Sequence, residues 1–400
     1  MAQSKWLPSA AFATIPLVFV LGNSMLVPIL PELSERMKLS ELQSSMVITL
    51  FSVSAAVFIP LIGYLSDRMK RKIIIVTALA VYGAAGILAG MGALWHSYPV
   101  LIAARIIQGI AAAGTSPIAM ALVGDMYTDG EESEVLGLIE ASNGTGKVIS
   151  PILGSLLGLW VWYAPFFAFP FFCAAALAAV IFLIKEKDHT DKAMPLKTYL
   201  AHMKKIFGKH GKWLITAYCA GALGLFILFG MLVYLSDLAE KPPYSITGVA
   251  KGGLLAIPLL GLVVTAYTTG RIIKKKSYRM RIFMITGISG IVLSLTAAAI
   301  WHGSFVALIC FITASSVGTG LLLPCLNTLI TGAVDRSHRG MVTSLYNSLR
   351  FLGVAAGPPL FSWITGRYEP WLFASLAVLS ALSLFTVIRF VHPPKVQKNA

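Results

Sequence analysis

Twelve apolar segments of about 20 residues, each bounded by polar loops, run the length of this 400-residue chain. In lipid every backbone N–H and C=O must be satisfied within the protein, so segments of this length fold as membrane-spanning helices. The expected spans are 10–30, 42–64, 73–93, 98–122, 135–159, 164–184, 213–236, 248–270, 282–301, 304–331, 342–365 and 371–391. Only 12% of the residues are charged, about half the share of a soluble domain. The fold class is therefore an all-α polytopic membrane protein. The first apolar stretch, Ala10 to Leu30, is longer than a signal-peptide core and lacks a small-residue cleavage site, so it reads as span one.

The cations set the orientation. Of the 32 Lys and Arg residues, most flank the N-terminus, the C-terminus and the loops after even-numbered spans: Lys5, Arg68 to Lys72, the lysines from Lys185 to Lys212, Arg271 to Arg281, Arg336 and Arg339, and Arg389 onward. Only Arg36, Lys38, Lys241 and Arg367 lie in the loops on the other side. The positive-inside rule then puts both termini in the cytoplasm, beneath the plasma membrane. The net charge of +15 is spread over alternate loops, which does not suit nucleic acid. One cytoplasmic loop, residues 125–134, is acidic and is expected to pair with the basic loop at 68–72. Lys251, close to a span end, is expected to snorkel to the interface. Cys173, Cys219, Cys310 and Cys325 all fall in apolar segments with no disulfide or metal spacing, so no metal site is expected.

The basic link 185–212 suits a path along anionic lipid. It separates a six-helix bundle, residues 1–184, from a second, residues 213–400. The halves repeat: Gly63, Gly83, Pro117, Gly146 and Pro151 recur at one constant spacing as Gly270, Gly290, Pro324, Gly353 and Pro358. Two parallel six-helix halves imply a transporter with its site near the bilayer midplane, between the halves.

The stretch Glu140 to Gly158, EASNGTGKVISPILGSLLG, is the least ordinary. Gly146 and Gly154 allow close helix approach, and Pro151 frees a carbonyl that neighbours must satisfy. Glu140 and Lys147 lie seven residues apart on one helix face. They form either a structural ion pair or part of a substrate and proton pathway. Arg105 in span four and Arg350 in span eleven add further costly charge. Asn23 and Asn143 add hydrogen-bonding groups, so the expected substrate cavity comprises Asn23, Asn143, Lys147 and Arg350. Cations exceed acids in the spans, which favours an anionic or phenolic substrate.

Several motifs carry a family resemblance. GYLSDRMKRK, with Gly63, Asp67, Arg68 and Arg71, resembles the loop motif of the major facilitator superfamily. ARIIQGIAAAG, with Arg105, Gln108 and Gly109, is similar to the same family's R-x-x-Q-G motif. PILPEL, with Pro28 and Pro31, and GKVISPILGS, with Gly146, Pro151 and Gly154, resemble signatures of its twelve-helix drug:proton antiporters. Ser150 and Ser155 stand where that last pattern has glycines. The resemblance covers the whole chain. It implies a conformational latch at Gly63, Asp67, Arg68 and Arg71, a bendable helix at Gly146, Pro151 and Gly154, and proton coupling through Arg105, with Glu140 and Lys147 as further candidates.

The expected function is proton-coupled export of small amphipathic organic molecules by alternating access. The cargo is a drug or an acidic metabolite such as a siderophore; a solute importer or lipid flippase on the same fold is the alternative. The expected partners are a small-molecule substrate, protons and the lipid bilayer, with the chain acting as a monomer. The proton motive force takes the place of any cofactor. The sequence has no membrane His pair, no Cys–His spacing and no phosphate loop, so an enzyme is not expected.

Overall fold

The computed structural model of the chain describes residues 6–66, 68–127, 129–186, 196–273, 277–301, 303–332 and 336–391. These residues are helical almost throughout. The first span comprises α1 (Trp6–Ser24), a 3-10 turn (Val27–Ile29) and α2 (Leu30–Arg36). Pro28 and Pro31 account for the interruption, because each sits at the start of its own helix, where a missing N–H is tolerated. After α3 (Glu41–Ser66) and α4 (Arg71–Leu94), the fourth span is also divided, into α5 (Tyr98–Ala112) and α6 (Ser116–Met126). Pro117 lies in the first turn of α6 and restarts the helix.

Then come α7 (Asp129–Gly158), α8 (Ala164–Leu183), α9 (Leu196–Glu240), α10 (Gly248–Ile273), α11 (Ser277–Ile300), α12 (Phe305–Gly332) and α13 (Arg336–Phe390). Helix α9 begins inside the basic link, so residues 196–212 continue directly into the seventh span. Helix α13 carries the eleventh and twelfth spans. Val342 and Tyr346, near its start, share one buried core with Val387 near its end, and a straight helix of 55 residues cannot bring them together.

Ten stretches of the described chain are long and apolar enough to cross a membrane. The two expected spans missing from that set lie in α7 and in the first half of α13, which correspond under the internal repeat. Both are too polar for the same reason: α7 carries Asn143 and Lys147, and α13 carries Asn347 and Arg350. Large apolar side chains elsewhere face outward, among them Phe171, Phe182, Leu293, Val306 and Phe385, as expected where the solvent is lipid. Trp95, Trp160 and Trp301 are exposed just past helix ends, at the level where indole rings favour the membrane interface.

The chain forms two compact units. The first takes residues 1–193 together with 236–256, and the second takes 194–235 and 257–400. In the first, α4 packs on α5 and α8, α1 on α7, and α3 on α5. In the second, α11 packs on α12 and α13. The α1–α7 contact is close. A Cβ on Gly154 would lie 2.0 Å from the Met25 carbonyl oxygen, so only glycine lets α7 pass the broken end of α1. At Gly146 a Cβ would meet only side chains, the Leu17 tip at 3.2 Å and Val20 at 3.4 Å.

Candidate functional site

The first unit holds a cation at its centre. Arg105, on α5, is 0% exposed. Its Nε donates to the Val47 carbonyl at 2.9 Å, its Nη1 to Gln108 Oε1 at 2.6 Å and its Nη2 to Asn23 Oδ1 at 3.4 Å. The guanidinium also lies 4.4 Å from the centre of the Phe51 ring. Gln108 in turn donates to the Tyr82 carbonyl at 3.4 Å. Spacing explains part of this: Arg105 and Gln108 lie three residues apart on one helix face. The α1 break explains more, because Asn23 sits one residue before the end of α1. Arg105 forms no ion pair with a described residue. Neutral oxygens and a ring face therefore hold a whole positive charge in a low dielectric, and the site retains a net attraction for an anion.

Helix α7 carries the next group. Ser142 donates to the Ala13 carbonyl of α1 at 2.5 Å. Asn143 Oδ1 is buried and accepts no hydrogen bond from the described residues. Lys147 is half-buried. The Glu140 side chain lies outside the described residues, so the Glu140–Lys147 pair does too. Ser150, which replaces a motif glycine, donates to the Gly146 carbonyl at 2.5 Å. The hydroxyl of Ser155, the other replacement, is buried without a partner among the described residues.

In the second unit Arg350 is half-buried, its guanidinium 5.3 Å from the centre of the Tyr346 ring. Nη1 donates to Asn347 Oδ1 at 3.4 Å, while Nε is buried with no partner among the described residues. Thr343 Oγ1 and the Tyr346 hydroxyl, on the same face of α13, are likewise buried without partners among the described residues. Among the described residues no carboxylate pairs with Arg350.

The basic loop at 68–72 joins α3 to α4. Asp67 lies outside the described residues. Gly63 is half-buried on α3, and Arg68 stacks on Tyr64 with its guanidinium carbon 3.9 Å from the ring centre. Arg71 pairs with Asp125 at the end of α6, as the acidic-loop expectation required, and Nη1 also donates to the Ala121 carbonyl at 3.0 Å. The rest of the acidic loop, residues 128–134, has side chains outside the described set. Glu186 was not expected here. Its two carboxylate oxygens accept the backbone N–H groups of Arg71 and Lys72, each at 2.9 Å. An acid immediately after span six, where the basic link begins, was the available signal.

Lys251 corrects another expectation. It is 3% exposed and donates to Glu240 at 2.5 Å. Burial between α9 and α10 removes the path to the interface that snorkelling needs, and α9 extends far enough to bring Glu240 against it.

Comparison with known proteins gives a consistent picture. Residues 12–287 and 243–400 match the Major Facilitator Superfamily. A protein of Bacillus subtilis (strain 168) named "Bacillibactin exporter" is 40% identical over 97% of both chains. "Multidrug resistance protein 2" of the same organism is 23% identical over 92% of both. "Tetracycline resistance protein, class D" of Salmonella ordonez is 26% identical, over 96% of this chain and 98% of that one. Among solved structures, the human organic anion transporter MFSD10 (TETRAN) superposes with a TM-score of 0.74 at 19% identity, covering 96% of this chain and 100% of that chain. A D-xylose-proton symporter gives 0.76 at 13% identity, covering 98% of both. At those identities the two structures speak for the fold alone.

Proposed function

The chain belongs to the Major Facilitator Superfamily, and from that membership we propose that it is a proton-driven exporter of small acidic organic molecules. The proposed substrate class is a phenolic or carboxylate metabolite of the siderophore kind. The whole-length relationship to a bacillibactin exporter supports export and this class of cargo. The observation that carries the substrate charge is a pair of intramembrane cations, Arg105 and Arg350, that have no carboxylate partner among the described residues. Arg105 is locked among neutral oxygens and supplies a standing positive potential. Arg350 has a buried Nε with no partner among the described residues and is the group proposed to contact the substrate anion. Alternating access moves the substrate, and an inward flow of protons drives it. The positive-inside loops put both termini in the cytoplasm of a bacterial cell, with the protein in the plasma membrane. It needs no partner chain and no cofactor in this reading.

Everted vesicles test it. With the interior acidified, labelled bacillibactin and dihydroxybenzoate should accumulate, and a protonophore should abolish accumulation. Arg350→Gln should lower that accumulation about tenfold or more, the effect of losing one hydrogen bond to a charged group. Accumulation of a cationic dye but of neither acid would overturn the substrate class. Accumulation indifferent to the protonophore would overturn the coupling.

A further inference from the structure

Two helix ends of opposite polarity meet at Glu186, and each supplies what the other lacks. Helix α4 starts at Arg71, and Lys70 at its N-cap position makes no side-chain capping bond. The first N–H groups of a helix have no partner within it and carry partial positive charge. Here Glu186 Oε1 and Oε2 accept the N–H groups of Arg71 and Lys72. At the far end of α8 the last carbonyls are the orphans, and Lys72 Nζ donates to those of Ile181 and Ile184 at 2.9 and 2.7 Å. A carboxylate from beyond α8 thus caps α4, and an ammonium from α4 caps α8.

The Arg71 side chain leaves from this same capped turn. It reaches across to Asp125 and to the Ala121 carbonyl on α6, with only 13% of its surface exposed. We propose that Glu186 is a positioning residue for transport: it fixes the first turn of α4 so that Arg71 meets Asp125. It also stands at the start of the link, residues 185–212, that joins the two halves of the chain, so displacement of the link would pull on the turn that aims Arg71. The sequence motif contains the loop residues but not this anchor, which comes from more than 100 residues later in the chain.

Hydrogen exchange on the full-length protein in lipid nanodiscs tests this without any substrate. Glu186→Gln should speed exchange in peptides covering 71–76 and also in those covering 121–127, because the Arg71 link to α6 loosens with the cap. Glu186→Asp, which keeps the charge, should restore protection in both. Acceleration confined to 71–76 would mean that Glu186 is only a local cap, and the positioning role would fail. In everted vesicles, Glu186→Gln should lower the maximal rate of proton-driven bacillibactin accumulation about tenfold with KM unchanged. The double variant with Asp125→Asn should be no slower than the slower single variant. Multiplying defects would show two independent residues and overturn the proposal. If wild-type vesicles fail to move bacillibactin, the substrate reading falls, while the exchange result still decides the role of Glu186.

Discussion

A planar guanidinium suits the place where Arg105 sits. Its fork reaches the Val47 carbonyl, Gln108 and Asn23 at once, and its face accepts the Phe51 ring. A lysine ammonium keeps the charge but not this geometry. Arg105→Lys should therefore cut proton-driven accumulation at least about tenfold while membrane abundance, measured by immunoblot, stays near wild type. Gly146 and Gly154 make a sharper contrast. Gly154→Ala would drive a methyl into the rigid Met25 carbonyl, whereas Gly146→Ala meets no backbone, only the Leu17 tip and Val20 at 3.2 to 3.4 Å. Thermal unfolding in detergent should show Gly154→Ala markedly destabilised and Gly146→Ala close to wild type, with Gly146→Leu far worse than Gly146→Ala. The sequence picks out both glycines but cannot rank them. The ranking depends on where the α1 break turns a carbonyl, which is a fact of tertiary structure. Phe51 and Tyr82 were illegible for a similar reason: nothing in an apolar span marks which ring will face a cation or which main-chain carbonyl will take an amide.

At the scale of elements, helix existence was largely legible from apolar length, and helix ends were not. Glu240 counts as a loop residue if span seven stops at 236, and then Lys251 has no visible partner. With α9 running to Glu240, the two become a pair in which Lys251 is buried and Glu240 half-buried. Removing one partner of such a pair costs about 3–5 kcal/mol, because the other is left charged and unsatisfied. Lys251→Met alone should lower the unfolding temperature strongly, and Lys251→Met with Glu240→Gln should recover most of it. A double variant as unstable as the single would show that the contribution lies in packing of the Lys251 stem instead. The Arg71–Asp125 contact was legible because opposite charges in neighbouring loops attract at any register. Glu186 was not, because hydrogen bonds to backbone N–H groups leave no trace in the composition of the loop they secure.

For the whole molecule, the internal repeat and the family motifs carried the fold, and ten apolar helices and the fold neighbours agree with it. The repeat is not a symmetry of chemistry. The loop at 68–72 has an acid before it and Glu186 behind it, whereas Gly270 to Lys276 has no corresponding Asp. Latching through such a loop is therefore argued for the first half only. Orientation rests on loop charge. A phosphatase fused after Lys398 should be inactive and a cytoplasmic reporter there active; the reverse pattern would invert every assignment of side.

The polarity of α7 and of the first half of α13 also constrains how the protein is made. Helices enter the bilayer through a lateral gate, where each segment partitions according to its own side chains. A Lys or Arg at mid-helix opposes that step by about 2.5–3.5 kcal/mol on the insertion scale. Helix α8, apolar on all sides, follows α7 at once, and the last span likewise follows the polar part of α13. Each polar helix should therefore wait at the gate and enter together with its apolar successor. In a glycosylation-mapping assay, residues 129–158 alone should insert poorly and residues 129–186 well. Equal insertion of both fragments would mean that α7 needs no companion to leave the translocon.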